Sequence, residues 1–344
     1  MRAGLWLGII GLCVAVATTA QGQVRYQTIA EGGASEWKHE KSGVVLPGSL
    51  LGVERGEVQD ATGGKQLDIL ARYEGEGSEG YATIYLYRPA IMNVPLWFDR
   101  SHAMLRMFQK VSTPKAATIF APPGGKTASA MRVSYAMPDG MAATALALVP
   151  VGDWLLKVRL TGPGSAADVE GKIEQILNAI RLPGGPDAPA AVEVKECAEP
   201  LQYQQAEALK PDGARVLLVG MRALAMNQDA STQVWCREGA EEIVWSLYRK
   251  GGATDGYVLA LADSGRVLQT EAIPALEAGK GPDFSLMLAD VDQIHQFPQL
   301  SALPSQEQVV KFIKELKPVA RISRDSRKIT LDKSLTERDS GGKQ

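Results

Sequence analysis

The spacing of apolar residues predicts several strands in the first half of the chain. Residues 81–88 alternate between apolar and polar or aromatic positions, which is the period of a strand. Residues 142–149 are apolar without alternation, which is typical of a central strand covered on both faces. A turn at 150–153 leads into a second alternating run at 154–160. The last two runs are therefore predicted to pair as a hairpin.

Two helices are predicted in the same half. Residues 95–111 carry apolar side chains at helical spacing, and those expected on the buried side are Trp97, Met104, Leu105 and Phe108. Residues 166–182 carry a similar stripe. Ser165 and Asp168 are spaced as a capping box before it, and Pro183 marks its end.

The second half continues in the same style. It has a predicted helix near residues 197–209 and apolar runs at 216–219, 243–248, 257–262 and 284–289. The sequence Asp263-Ser264-Gly265 is typical of a tight turn between strands. Ser305 and Gln308 match a capping box for a last helix that ends before Pro318.

Proline and glycine divide the chain at residues 183–195, because neither helices nor strands tolerate such a segment. The division predicts five parts: a signal peptide at 1–22, an α+β domain at 24–182, a Pro/Gly/Ala linker at 183–195, a second α+β domain at 196–332 and a disordered tail at 333–344. Clusters of strands with helices at their ends indicate the α+β class, with a mainly antiparallel sheet and a few packed helices in each domain.

The order of elements in the first part resembles the PsbP/Mog1/DcrB-like family of small α+β domains. An opening strand region around Trp37 and Pro47 is followed by hairpins through Arg88, a helix, four strands and a closing helix. The resemblance covers residues 24–182 and depends on element order. It implies a binding or assembly role and transfers no site residues. The second part resembles no family.

The N-terminus indicates export. Arg2 precedes an apolar run of about a dozen residues and then small residues, which is the pattern of a cleaved signal peptide and is shorter than the roughly 20 residues of a membrane span. A periplasmic or secreted protein is predicted, with no transmembrane segment in the mature chain. Only Cys197 and Cys236 would then remain. They are expected to form a disulfide, with two reduced thiols as the alternative.

Composition excludes some functions. A net charge of −2 offers no electrostatic basis for nucleic-acid binding. Three histidines and three cysteines leave little room for a metal site, and no metal or other cofactor is predicted. The chain also lacks the G-x-S-x-G, H-E-x-x-H and C-x-x-C motifs of several enzyme classes.

The densest group of possible catalytic residues is Asp290, Asp292 and His295. The two carboxylates would share a face if the strand before them continued, and close carboxylates can raise one another's pKa. The alternative is that they cap a turn or face water. Tyr81, Tyr85 and Tyr87 form a second candidate, a face that binds a peptide or glycan. Its alternative is packing beneath a helix.

Two further motifs are weaker. Residues 120–127 end in Gly-Lys-Thr but lack the first glycine of a phosphate-binding loop, so they are interpreted as a turn between strands. Asn227, Asp229, Ser231 and Glu238 match a calcium-loop spacing, but Thr232 replaces the required glycine. A polar loop that runs into a strand accounts for this second segment.

These observations favour a non-catalytic periplasmic binding or envelope accessory protein. Its predicted partners are another envelope protein or a small ligand. The alternative is a periplasmic hydrolase with its site in the second domain, near Asp290, Asp292 and His295.

Overall fold

The computed structural model describes most of the chain beyond the predicted signal peptide. The described residues are 26–75, 80–109, 111, 117–138, 142–225, 230–239, 242–274 and 281–336. The predicted signal peptide at 1–22 lies outside them.

The first large sheet contains eight antiparallel strands. The described part of the first half has twelve strands, eight in this sheet and four in two small ribbons. They are β1 Gln27–Ala30, β2 Trp37–Lys38, β3 Val45–Leu46, β4 Ser49–Leu50, β5 Val53–Glu54, β6 Val58–Asp60, β7 Asp68–Tyr73, β8 Tyr81–Tyr87, β9 Thr118–Phe120, β10 Ala130–Ala136, β11 Ala142–Val151 and β12 Trp154–Pro163. The order across the sheet is β1-β6-β7-β8-β12-β11-β10-β9, and the ribbons pair β2 with β3 and β4 with β5. The predicted hairpin of β11 and β12 is confirmed, with Val151 opposite Trp154 at the turn.

The second large sheet contains nine strands in chain order. They are β13 Lys195–Glu196, β14 Trp235–Glu238, β15 Trp245–Lys250, β16 Gly256–Leu261, β17 Arg266–Ile273, β18 Asp283–Ala289, β19 Gln293–Gln296, β20 Ala320–Ser323 and β21 Ile329–Leu331. The pair β13 and β14 is parallel, and every other neighbouring pair is antiparallel. The predicted class, mainly antiparallel sheets with a few helices, is confirmed.

The described helices are α1 Val94–Gln109, α2 Ala166–Ala179, α3 Gly213–Ala225, α4 Gln306–Glu315 and α5 Lys333–Thr336. Both predicted capping boxes are present. The hydroxyl of Ser165 accepts from the Asp168 backbone N–H at the start of α2, and Ser305 accepts from Gln308 at the start of α4. Local hydrogen bonds therefore determine where these helices begin.

The predicted helix near residues 197–209 is wrong. Backbone N–H groups in this segment donate to distant residues: Cys197 to Arg237, Gln204 to Leu303 and Leu209 to Gln299, at 2.8–3.0 Å. These long-range bonds replace the hydrogen bonds of a helix. The apolar run at 216–219 lies in α3, the helix that follows.

Two smaller expectations also differ from the structure. Phe108 is 63% exposed although its helical position predicts burial. The tail predicted to be disordered from residue 333 begins with the helical turn α5, whose Leu335 packs against Val216 and Val319. Residues 337–344 lie outside the described part. His39 is fully buried between Ser42 and the Gln66 carbonyl, at 2.8 and 3.0 Å.

Strand β11 is buried on both faces, as its unbroken apolar run predicts. Ala145 and Ala147 point into the cluster that contains α2, whereas Leu146 and Leu148 point into a second cluster. That second cluster joins the halves of the chain, because it contains α1 together with residues of both large sheets. A core shared in this way fixes the two sheets against each other.

The turn between β16 and β17 adds polar contacts between the halves. The Asp263 carboxylate accepts hydrogen bonds from Ser101 and from the Lys157 ammonium, each at 2.6 Å. Arg100 of α1 is fully buried and donates to the Ala262 carbonyl at 2.5 Å. Gly265 follows with φ +73°, and a Cβ atom there would lie 2.8 Å from the Tyr87 ring. This close approach explains why the predicted tight turn carries glycine.

The Pro- and Gly-rich segment at 183–195 runs beside the first sheet. The Ala191 N–H donates to the Ala128 carbonyl at 2.9 Å, and the Asp187 carboxylate accepts from Lys126 and Thr127. The predicted disulfide between Cys197 and Cys236 is confirmed, with a Cα–Cα distance of 5.0 Å. The disulfide joins the start of the second half, at Cys197, to strand β14.

Candidate functional site

A cleft of about 310 Å³ lies where the two halves meet. Its apolar wall is formed by Met92, Ala223, Leu224 and Ile294, and its charged residues are Arg88, Asp153, Arg324 and Arg327. The volume is at the small end of the range for ligand pockets, which favour domain interfaces. Three of the four charged residues that line the cleft are arginines.

Arg88 comes from the first half. It directly follows β8, and its side chain pairs with the carboxylate of Asp325, which is 59% exposed. An ion pair with an exposed partner contributes about 1 kcal/mol or less, because water competes for the exposed charge. An anionic ligand can therefore displace Asp325 from Arg88 at little cost.

Arg324 is held by backbone carbonyls. Its guanidinium donates to Val291 at 2.9 Å, to Asp290 at 3.2 Å and to Pro89 at 2.7 Å. Burial, together with the charge of Arg88, lowers the pKa of Arg324 to about 10. The side chain remains charged at neutral pH, and partial carbonyl charges do not neutralise it. It therefore adds a fixed positive charge to the wall of the cleft.

Arg327 is the most available of the three arginines. Within the part of the chain that the structure describes, its side chain has no hydrogen-bond or ion-pair partner, and the residue is exposed. Its backbone has φ +54°, a left-handed conformation that costs a residue with a Cβ atom roughly 1–2 kcal/mol. Asparagine or glycine would fill this turn position between β20 and β21 at lower cost. The turn nevertheless places an unpaired guanidinium at the cleft.

The chemistry available in the cleft is recognition of an anion. Guanidinium groups bind carboxylates and phosphates through paired N–H donors, and the apolar wall can receive a nearby hydrocarbon group. None of the eight lining residues is a serine, cysteine, histidine or lysine. The lining therefore provides charge and shape for binding.

The predicted group Asp290, Asp292 and His295 lies beside this cleft. The Asp290 carboxylate accepts from Arg266 Nε at 2.8 Å, and the Asp292 carboxylate pairs with Lys65. His295 lies in β19 opposite Arg321, and burial together with the Arg321 charge lowers its pKa. Each carboxylate thus has a cation as its partner, as in a structural ion pair. The hydrolase site remains a prediction.

The backbone of the same turn has a clearer role. Carbonyl groups of Asp290 and Val291 accept from the Arg324 side chain, and the Asp292 carbonyl accepts from the Arg324 N–H at 3.0 Å. The turn after β18 therefore positions an arginine of the cleft. Sequence analysis singles out this turn for the carboxylates of Asp290 and Asp292, whereas the backbone carbonyls of the turn make the contacts with Arg324.

The predicted tyrosine face is not a shared exposed surface. Tyr81 is 41% exposed, but Tyr87 is 2% exposed and packs against the turn at Gly265. The Lys157 ammonium lies 4.3 Å from the centre of the half-buried Tyr85 ring. Tyr85 and Tyr87 therefore pack within the protein, and a binding face that includes them remains a prediction.

The Gly-Lys-Thr segment and the calcium-loop spacing are the two weaker motifs, and only the first lies wholly within the described residues. Residues after Phe120 form a turn before β10, with the Gly125 N–H bonded to the Pro122 carbonyl at 2.9 Å. Asn227 and Asp229 of the calcium-loop spacing lie outside the described residues. The described residues contain no cluster of three metal-ligating side chains.

Comparison with known proteins identifies no family for the chain: no family model, curated protein or solved structure matches it. In the described part, none of the helices has the length and apolar character needed to span a membrane.

The arginine cleft cannot be predicted from the sequence pattern alone. One signal was available, because residues 321–328 contain four basic residues in eight positions, namely Arg321, Arg324, Arg327 and Lys328. The partner Arg88 could not be linked to them, since 236 positions separate it from Arg324.

Proposed function

We propose that the chain is an exported, non-catalytic binding protein whose ligand carries an anionic group held in the arginine cleft. In this proposal the first 22 residues are a cleaved signal peptide, and the protein works in the periplasm or outside the cell. The two sheets are its two domains, the first of PsbP-like type, and the ligand binds between them. The observation that carries the proposal is the placement of Arg88, Arg324 and Arg327 around one cleft.

The pairing state of the arginines supports binding. Arg324 is bound by carbonyls and so keeps its positive charge, whereas Arg88 is paired with the exposed carboxylate of Asp325, which an anionic ligand can displace. Arg327 has no partner in the described residues and occupies a backbone conformation that a smaller residue would adopt more easily. Strain of this kind, kept at the edge of a cleft, is typical of functional positions.

Calorimetric titration of the full chain, purified after export, tests the proposal. The probes are inorganic phosphate, succinate and octanoate, which differ in anionic group and in hydrocarbon content. At least one of them is expected to bind wild-type protein. Arg327→Gln should weaken that binding about tenfold, because it removes one charge-assisted contact.

Lys328→Gln is the matched control. Lys328 is the adjacent exposed residue, carries the same charge and does not line the cleft. Equal losses for the two variants would indicate general electrostatic attraction and contradict a specific site. Absence of binding by all three probes would also contradict it. The intact mass of the same sample reports signal cleavage and any bound ligand.

A further inference from the structure

Helix α3 exposes an apolar stripe toward solvent. Leu217, Leu218 and Met221 are 42%, 48% and 51% exposed, whereas Val216, Val219 and Ala223 on the opposite side are buried. A surface helix normally places polar residues on its outer face. Large apolar side chains grouped there indicate a surface that another molecule covers.

The stripe leads directly into the arginine cleft. Leu217, Met221 and Leu224 follow one another at intervals of four and three residues, so they lie on one side of α3. Leu224 also belongs to the apolar wall of the cleft. From Leu217 to Leu224 the helix rises about 10 Å, which is the length of two turns of a partner helix. The exposed stripe and the cleft form one continuous surface, which we call the α3 surface.

We propose that the α3 surface binds an acidic amphipathic helix of a partner protein. The apolar side of that helix packs on Leu217, Leu218 and Met221, and its carboxylates enter the cleft beside Arg88 and Arg327. This inference rests on the proposed anion-binding function and names the molecule that supplies the anion. Charge complementarity selects the acidic partner, and the length and shape of the stripe select a helix.

A lipid surface fits less well. Helices that lie on membranes carry free Lys and Arg residues beside their apolar face, which attract anionic lipids. Here Arg215 pairs with Asp283 at 2.5 Å and Arg222 pairs with Glu271 at 3.2 Å. The basic residues of α3 itself are therefore occupied within the protein, and Arg327, which is unpaired among the described residues, lies at the cleft end of the surface.

A second copy of the chain also fits less well. Two α3 helices packed against each other would bury their apolar stripes but would bring no carboxylate to the cleft, because α3 contains no acidic residue. The three arginines would then face a neighbour without opposite charge. A separate acidic helix satisfies both parts of the surface.

Selection from a displayed library of random 16-residue peptides against the full chain tests the inference. Enriched peptides are expected to carry net negative charge and apolar residues at intervals of three and four. Fluorescence anisotropy then measures the tightest peptide. Met221→Gln and Arg327→Gln should each weaken its binding about tenfold. Met221 is exposed, so its substitution removes contact area without disturbing the core.

Val192→Gln provides the matched control, because Val192 is 51% exposed and lies outside α3. It should leave binding unchanged. Enrichment of basic peptides, or of none that depends on Met221, would overturn the inference. So would Met221-dependent binding to vesicles that contain phosphatidylglycerol, or a Met221-dependent dimer in analytical ultracentrifugation.

The inference and the proposed function can fail separately. If phosphate or succinate binds with a dependence on Arg327 but no peptide depends on Met221, the cleft binds an anion and the partner helix is wrong. If Arg327→Gln changes neither measurement, the anion site fails as well.

Discussion

Replacing Asp263 by asparagine should destabilise the protein strongly, because it removes the counter-charge of a buried lysine. The side chain of Lys157 is 3% exposed, and its ammonium lies 2.6 Å from the Asp263 carboxylate. Strand β12 supplies the lysine and the turn between β16 and β17 supplies the aspartate, so the pair joins the two halves. The Asp263→Asn substitution keeps the shape of the side chain and removes its charge.

Breaking a buried ion pair by removing one partner costs about 3–5 kcal/mol. Asp263 is 19% exposed, and the charge of Asp68 also acts on Lys157, so the lower end of that range, about 3 kcal/mol, applies. Lys157→Met should cost less, since the remaining carboxylate keeps its bond from Ser101 and reaches some solvent. The double variant should be more stable than the sum of the single effects predicts, with a coupling of about 2 kcal/mol.

Urea unfolding followed by tryptophan fluorescence measures all four proteins of this cycle. A loss of about 3 kcal/mol lowers the midpoint by roughly 1 M. Arg181→Gln is the control, because its pair with Glu36 is 61% and 52% exposed and should contribute little to stability. A midpoint for Asp263→Asn equal to that of the control would refute the reasoning that the lysine charge is desolvated.

Three other predictions concern stability. Gly265→Ala should cost roughly 2–4 kcal/mol in urea unfolding, since its Cβ would lie 2.8 Å from the Tyr87 ring and φ is +73°; an unchanged midpoint would contradict the tight docking. Reduction of the Cys197–Cys236 disulfide, or its replacement by two serines, should cost about 4 kcal/mol from the 39-residue separation, with the oxidised wild type as reference. Burial beside Arg106 and Arg237 lowers the pKa of His102 to about 4. As the pH drops from 6.5 towards 4, His102 is therefore protonated in the unfolded chain before it is protonated in the folded protein, and the stability should fall. His102→Gln should reduce that slope, and an unchanged slope would argue against a buried neutral imidazole.

Local signals in the sequence predict the elements well where the structure uses local hydrogen bonds. Both capping boxes and the turn at Asp263 depend on residues within three positions of one another, and all are present. The helix predicted near 197–209 fails for the opposite reason. Its backbone donors bind carbonyls such as those of Arg237 and Gln299, and no local pattern carries that information.

The exposed apolar stripe of α3 is a second feature that local sequence signals do not predict. Periodicity indicates that an apolar stripe will be buried, and the stripe through Val216, Val219 and Ala223 is buried. The other apolar stripe of α3, which carries Leu217 and Met221, faces solvent because the buried stripe is the one that packs on the second large sheet. A sequence pattern identifies apolar positions but does not tell which of two apolar faces the fold will cover.

The three arginines of the cleft differ in what a substitution can reveal about them. Arg324 donates hydrogen bonds to carbonyls from both halves, so its replacement would leave those acceptors unpaired. A loss of ligand binding could then not be separated from a loss of stability. Arg88 holds Asp325, whose freed carboxylate would then repel an anionic ligand. Arg327 has no such contacts in the described residues, and its left-handed backbone would relax in Arg327→Gly. That variant should keep or slightly raise the stability while binding weakens, and only a residue retained for function gives this combination.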